Sequence, residues 1–179
     1  MTGYGGKDLA RSFRTVRDNT IQIAEDIPED KYSFRPAPGA QSVRELLAHL
    51  AVSSQANYET HAVKKLKTFV GLDFAAWHQA MAEQQAALTT KAQIVDLLKT
   101  DGTRWAAYLE GLTEADLADQ VTFPPHLTPP AKTRFEMILS VKEHEMHHRA
   151  QLMLVERLLG IVPHLTRRRE AAMAQAAKG

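Results

Sequence analysis

The residues of this chain best suited to chemistry are its histidines. Eight occur in 179 residues, and three of them crowd into five positions: His144, His147 and His148. His144 and His148 are four apart. Four residues of α-helix turn through about 400°, so the two imidazoles lie roughly 40° apart and one turn up, placed to meet one ion. His147 is about 100° round from His148, which sets it beside such a site rather than in it. The repeat Val141, His144, His148, Leu152, Val155 turns the pair toward an apolar interior, where imidazoles need partners. A third inward histidine, His49, sits between Leu46 and Leu50 on another helical stripe. Three neutral imidazoles with positions left open make a catalytic or substrate-binding metal site, whereas closed structural sites carry four protein ligands. Such a set suits zinc, nickel, copper or iron.

Two other readings compete. A single inward histidine is often a satisfied core residue, and only the fold can bring His49 to the pair. The run His144-Glu145-Met146-His147-His148 also spells the His-Glu-x-x-His of a metalloprotease. That chemistry needs Glu145 beside a metal-bound water, a neighbouring sheet and a downstream third ligand. The sequence offers no sheet, and His164 lies beyond Gly160 and Pro163. Glu143 and Glu145 therefore read as a solvated face, with Glu145 and His147 at most supporting the ligands from outside. His61, His78, His126 and His164 read as solvated. Tyr58, Trp77, Trp105 and Tyr108 read as packing or rim residues, and Arg167 to Arg169 as a solvated run.

The elements that must position these residues are helical. Leu9, Phe13, Val16, Thr20, Ile23 and Ile27 step by threes and fours along a first helix. A proline-rich loop follows. Ser42 and Glu45 form a capping box that opens a second helix, carrying His49 and running to about Lys67. Asp73 caps a shorter helix. Thr90 and Gln93 open the next, with Ile94, Leu98, Trp105 and Leu109 inward and Gly102 inside it at a cost of about 1 kcal/mol against alanine. From Thr113 to Lys132 the pattern fails, and FPPHLTPP, with four prolines in eight residues, predicts a crossover loop. The last long helix spans roughly Thr133 to Leu159, stopped at Gly160. Residues 1–165 read as a single domain, and 166–179 as a tail or short helix. No strand is expected. Four long amphipathic helices predict an all-α four-helix bundle with a long crossover connection and perhaps an extra short helix.

Composition narrows the function class. Lys and Arg number 22 against 21 Asp and Glu. That balance lacks the basic surplus of a nucleic-acid binder. No apolar run is long enough to cross a bilayer. The N-terminal residues carry glycine and charge where a signal peptide has its apolar core, so a cytoplasmic protein is expected. There is no cysteine, hence no disulfide and no thiol of the protein's own. No phosphate-cradling glycine loop, nucleophile elbow or dinucleotide fingerprint is present.

Two stretches resemble one family. Ile27 to Gly39, leading through Ser42 into Glu45-Leu46-Leu47-Ala48-His49-Leu50, is similar to the second-helix signature of the DinB/YfiT-like superfamily. His144-Glu145-Met146-His147-His148-Arg149-Ala150-Gln151 resembles its last-helix motif, with Ala150 where the family often has glycine. The resemblance runs from Leu9 to Pro163. It implies a four-helix bundle whose divalent ion is held by His49, His144 and His148, commonly in a homodimer. Several relatives are S-transferases or isomerases that use a low-molecular-weight thiol. The expectation is a metal-dependent enzyme acting on a small molecule, with thiol-dependent transfer as the first reaction class. Metal-dependent hydrolysis is the alternative, and a non-catalytic metal- or ligand-binding bundle is a third.

Overall fold

The computed structural model describes residues 3–177. Four long helices make the bundle: α1 (Gly6–Asp26), α2 (Val43–Tyr58), α4 (Lys91–Glu110) and α6 (Arg134–Leu158). Between them lie α3 (Phe74–Ala87) and the short α5 (Glu114–Ala118), and α7 (His164–Ala176) ends the described chain. α1 packs on α4 and α6, and α2 packs on the same two helices. Among the described residues no helix is long and apolar enough to cross a membrane.

Helix starts are set locally. At α2 the Glu45 amide donates to Ser42 Oγ, and the Ser42 amide donates to Glu45 Oε2 at 2.8 Å. The same reciprocal box opens α4 at Thr90 and Gln93, and α6 at Thr133 and Glu136. Each satisfies backbone donors that a helix N-terminus leaves without partners. Gly160 ends α6 at φ +76°, a conformation that costs glycine nothing.

The core has two apolar clusters along the bundle. One gathers Ile23, Ile27, Leu47, Leu50, Leu98 and Leu152. The other gathers Leu9, Phe13, Trp105, Leu109, Ile138 and Val141. On α6, His144 and His148 interrupt the apolar face between Val141 of one cluster and Leu152 of the other.

Two expectations are corrected, and the segment expected as a tail or short helix takes the helical form. α2 leaves regular geometry at Tyr58 and widens into a π-turn over Glu59–Val63, so the straight helix is shorter than the apolar pattern predicts. The 113–132 stretch is not all loop: after α5, β1 (Gln120–Thr122) pairs antiparallel with β2 (Ala131–Thr133), Val121 opposite Lys132. Three-residue strands are too short to write a period-two signal, and the proline-rich run becomes the hairpin loop. Residues 164–176 are helical, and α7 ties to α1 through Arg167 and Asp26 at 2.6 Å.

Candidate metal centre

α2 and α6 cross so that His49, His144 and His148 meet. His144 Nε2 is 3.0 Å from His49 Nε2 and 3.1 Å from His148 Nε2. The ligand nitrogens of all three lie within 4.8 Å of one another. Nitrogens that would share one ion at about 2.0–2.1 Å stand no more than about 4 Å from each other, a reach that includes the two short separations. The His148 Nδ1–H donates to Gln151 Oε1 at 2.8 Å, leaving the Nε2 lone pair facing the cluster. The rings stand edge to face, with interplanar angles of 72° to 87°.

Burial favours the neutral form of His49 and His144. It pushes His49 down to about 4, with the positive forms of His144 and His148 adding to the shift. Burial also lowers His144, as does His148. Neutral imidazoles that face one another lack enough N–H donors to satisfy every ring nitrogen, and a cation accepted by all three lone pairs resolves this. The donor set fits a divalent ion.

The cluster opens on a cavity of about 470 Å³. Ser53 and Asn57 continue the His49 stripe along α2, and Val141, Ser140 and Met137 continue the His144 stripe along α6. Trp77 and Met81 of α3 and Phe123 and Lys132 of the hairpin complete its lining.

The two residues expected beside the ligands separate. His147 is exposed, its Nε2 3.4 Å from Gln151 Nε2. Glu145 is not on a solvated face. It is 2% exposed, and Arg17, also buried, donates to both carboxylate oxygens at 2.9 and 2.8 Å. Arg17 donates a further bond to the Leu98 carbonyl at 3.0 Å. The Glu145 hydrogen bonds thus run to α1, away from the cluster, and the protease-type role for it has no geometric support. Gly102 has its reason here, since a Cβ on it would stand 2.8 Å from Arg17 Cγ.

Two histidines expected in solvent are buried instead. His61 is 2% exposed, and its Nδ1 accepts from Arg134 at 3.0 Å. Burial and that guanidinium push it down to about 4. The signal was present, because Leu47, Leu50, Ser54 and His61 continue one helical face. His164 is buried against Asn19 at 3.0 Å. Its place as the first residue of α7, after Pro163, left no periodicity to read. Arg17 and Gln151 were also missed. Arg17 stands next to the apolar stripe of α1, on the turn between Phe13 and Thr20, where a charge signals a buried partner.

A family model for the DinB superfamily matches residues 12–152. An uncharacterised Bacillus subtilis protein, YjoA, is 27% identical over 152 residues, covering 85% of this chain and 89% of YjoA. The YjoA crystal structure is similar at TM-score 0.59 and 25% identity, over 85% of this chain and 91% of that one. YfiT from Bacillus subtilis is described as a probable metal-dependent hydrolase with an unusual four-helix bundle topology. It is similar at TM-score 0.70 and 19% identity, over 90% of this chain and 91% of that one. The colibactin self-resistance protein ClbS, solved in complex with double-stranded DNA, is similar at TM-score 0.64 and 13% identity, over 88% and 98%. At these identities YfiT and ClbS share the fold.

Proposed function

The chain belongs to the DinB superfamily, and on that premise we propose that it is a metal-dependent enzyme whose His49, His144 and His148 hold one divalent ion, zinc, nickel or iron. The observation that carries this is the convergence of three histidine ring nitrogens within 4.8 Å of one another, beside a cavity that His49 and His144 line. A bound ion supplies a Lewis acid that holds a thiol as its thiolate or makes water a nucleophile near neutral pH. The protein's own residues bind and orient. Gln151 fixes the tautomer and ring plane of His148, as partners of ligand histidines do. Trp77 and Met81 shelter the cavity from water. Glu145, held by Arg17, acts through the packing of α6 and not on a proton in the cavity. His147 stays at the rim.

Thiol-dependent transfer to a small electrophile, with a low-molecular-weight thiol as co-substrate, is the leading reaction class. The chain carries no cysteine of its own to compete for the ion. Metal-dependent hydrolysis is the second reading, favoured by the description of YfiT. The same reading takes the protein as a cytoplasmic homodimer acting on small molecules and not on nucleic acid. Turnover of an electrophile panel by metal-loaded protein, with and without added thiol, separates the two reactions. Transfer requires thiol in every productive assay, and hydrolysis proceeds without it. Absence of both under full metal loading sinks the enzymatic reading.

A further inference from the structure

The cavity beside the histidines has an unusual charge composition. The chain holds 21 acidic residues, yet none lines this cavity. Its ionisable lining residues are His49, His144, His78 and Lys132. Lys132 lies two residues before the start of α6, and His144 ten residues into that helix, about 15 Å along its axis, so the lysine and the metal cluster mark different ends of the cavity. Strand alternation explains its direction: opposed residues of an antiparallel pair share a face, and Lys132 is opposed to fully buried Val121. A position that the hairpin turns toward the bundle is therefore given to lysine, where an apolar side chain would cost less to bury. Lys132 is half-buried, and among the described residues its ammonium forms no ion pair.

Between the two ends the wall is largely apolar, from Trp77, Met81, Phe123 and Met137. His144 and Met137 are seven residues apart on α6, so the cavity runs about 10 Å along the helix. One lysine, with no arginine in the lining, matches a single negative charge better than a dianionic phosphate, which draws several donors or an arginine fork.

We propose that this cavity takes elongated small-molecule carboxylates, the carboxylate paired with Lys132 and an apolar body leading to a metal-seeking group at the histidines. This rests on the metal reading of the cluster for one end of the ligand only. Lys132 is the residue that selects for the acid, and His78, exposed on α3, is not needed for it.

The test uses matched probes on the full chain. Zinc-loaded protein is titrated with mercaptooctanoate and with mercaptooctanol, and metal-free protein with octanoate and with octanol. Calorimetry gives the affinities, and Trp77 emission reports occupancy of the cavity against the constant, buried Trp105. Each acid binds roughly tenfold tighter than its alcohol, as one partly desolvated ion pair gives. Lys132→Met abolishes the preference while keeping the alcohol's affinity, and Lys132→Arg keeps the preference. Equal affinities for acid and alcohol in the wild type overturn the proposal, as does a preference that survives Lys132→Met with helix content intact. Failure of the metal reading looks different: the thiol adds no affinity and zinc is not retained, while the acid preference of the metal-free protein stands.

Discussion

His144 and Glu145 are neighbours on α6 and face different sides of it. One step of about 100° separates a half-buried imidazole that opens on a cavity from a carboxylate sealed against α1. The Glu145 side is closed: each carboxylate oxygen has its Arg17 donor, and Arg17 has a carbonyl for a third N–H. The His144 side is open: three ring nitrogens face one another with too few hydrogens among them. Buried polar groups that satisfy themselves hold a fold together. Buried polar groups that do not are places where a ligand completes the structure.

The sharpest way to break the comparison is to open the closed side. Glu145→Ala leaves Arg17 buried without its counter-charge and costs about 3–5 kcal/mol of stability. Chemical denaturation measures it. A loss below about 1 kcal/mol shows that the pair is not the clasp described.

Acid separates the two sides next. The unfolded chain takes up a proton at His61 near pH 6.5, which the folded imidazole refuses until about pH 4. Stability therefore falls as pH drops from about 6.5 to about 4, by up to about 1.4 kcal/mol per pH unit for that one group. His49 adds the same sign in metal-free protein. Denaturation midpoints across that window test it, and His61→Gln flattens the slope. A slope unchanged in that variant removes His61 from the account.

A second carboxylate of α6 supplies the control. Glu156 is fully buried, and among the described residues neither of its carboxylate oxygens has a hydrogen-bond partner. Burial pushes its carboxyl up to about 7, with nearby Asp26 adding to the shift. Its neutral form suits the fold, so stability present below the ordinary carboxylate range is lost as pH rises from there to about 7, above which this group changes nothing further. Glu156→Met should stabilise by about 1–2 kcal/mol near pH 8, and less near pH 5. The same residue type on the same helix then gives opposite signs, set only by whether a partner exists. Destabilisation at pH 8 contradicts this.

Much of the open side was legible before the fold. The four-residue spacing of His144 and His148, set within an apolar repeat, already aimed them inward. Ser42 and Glu45 wrote the start of the helix that carries His49. What the sequence hid was long-range. Nothing local says that Arg17 crosses to Glu145, which lies 128 residues away. Gly102 looked like a tolerated defect until Arg17 was seen passing over it. Lys132 hid in strands too short to show alternation. His61 was legible and misread: it falls within the helix expected to run to about Lys67, on the face of Leu47, Leu50 and Ser54, yet it reads as solvated when taken alone.

The central claim concerns the ion, and elemental analysis of purified protein tests it most directly. Wild type should carry about one divalent ion per chain. His49→Ala, His144→Ala and His148→Ala should each lose most of it while helix content holds, since the Arg17–Glu145 pair and both apolar clusters remain. His147→Ala should keep it. Full occupancy in His148→Ala, or equal loss in His147→Ala, would contradict the three-histidine centre.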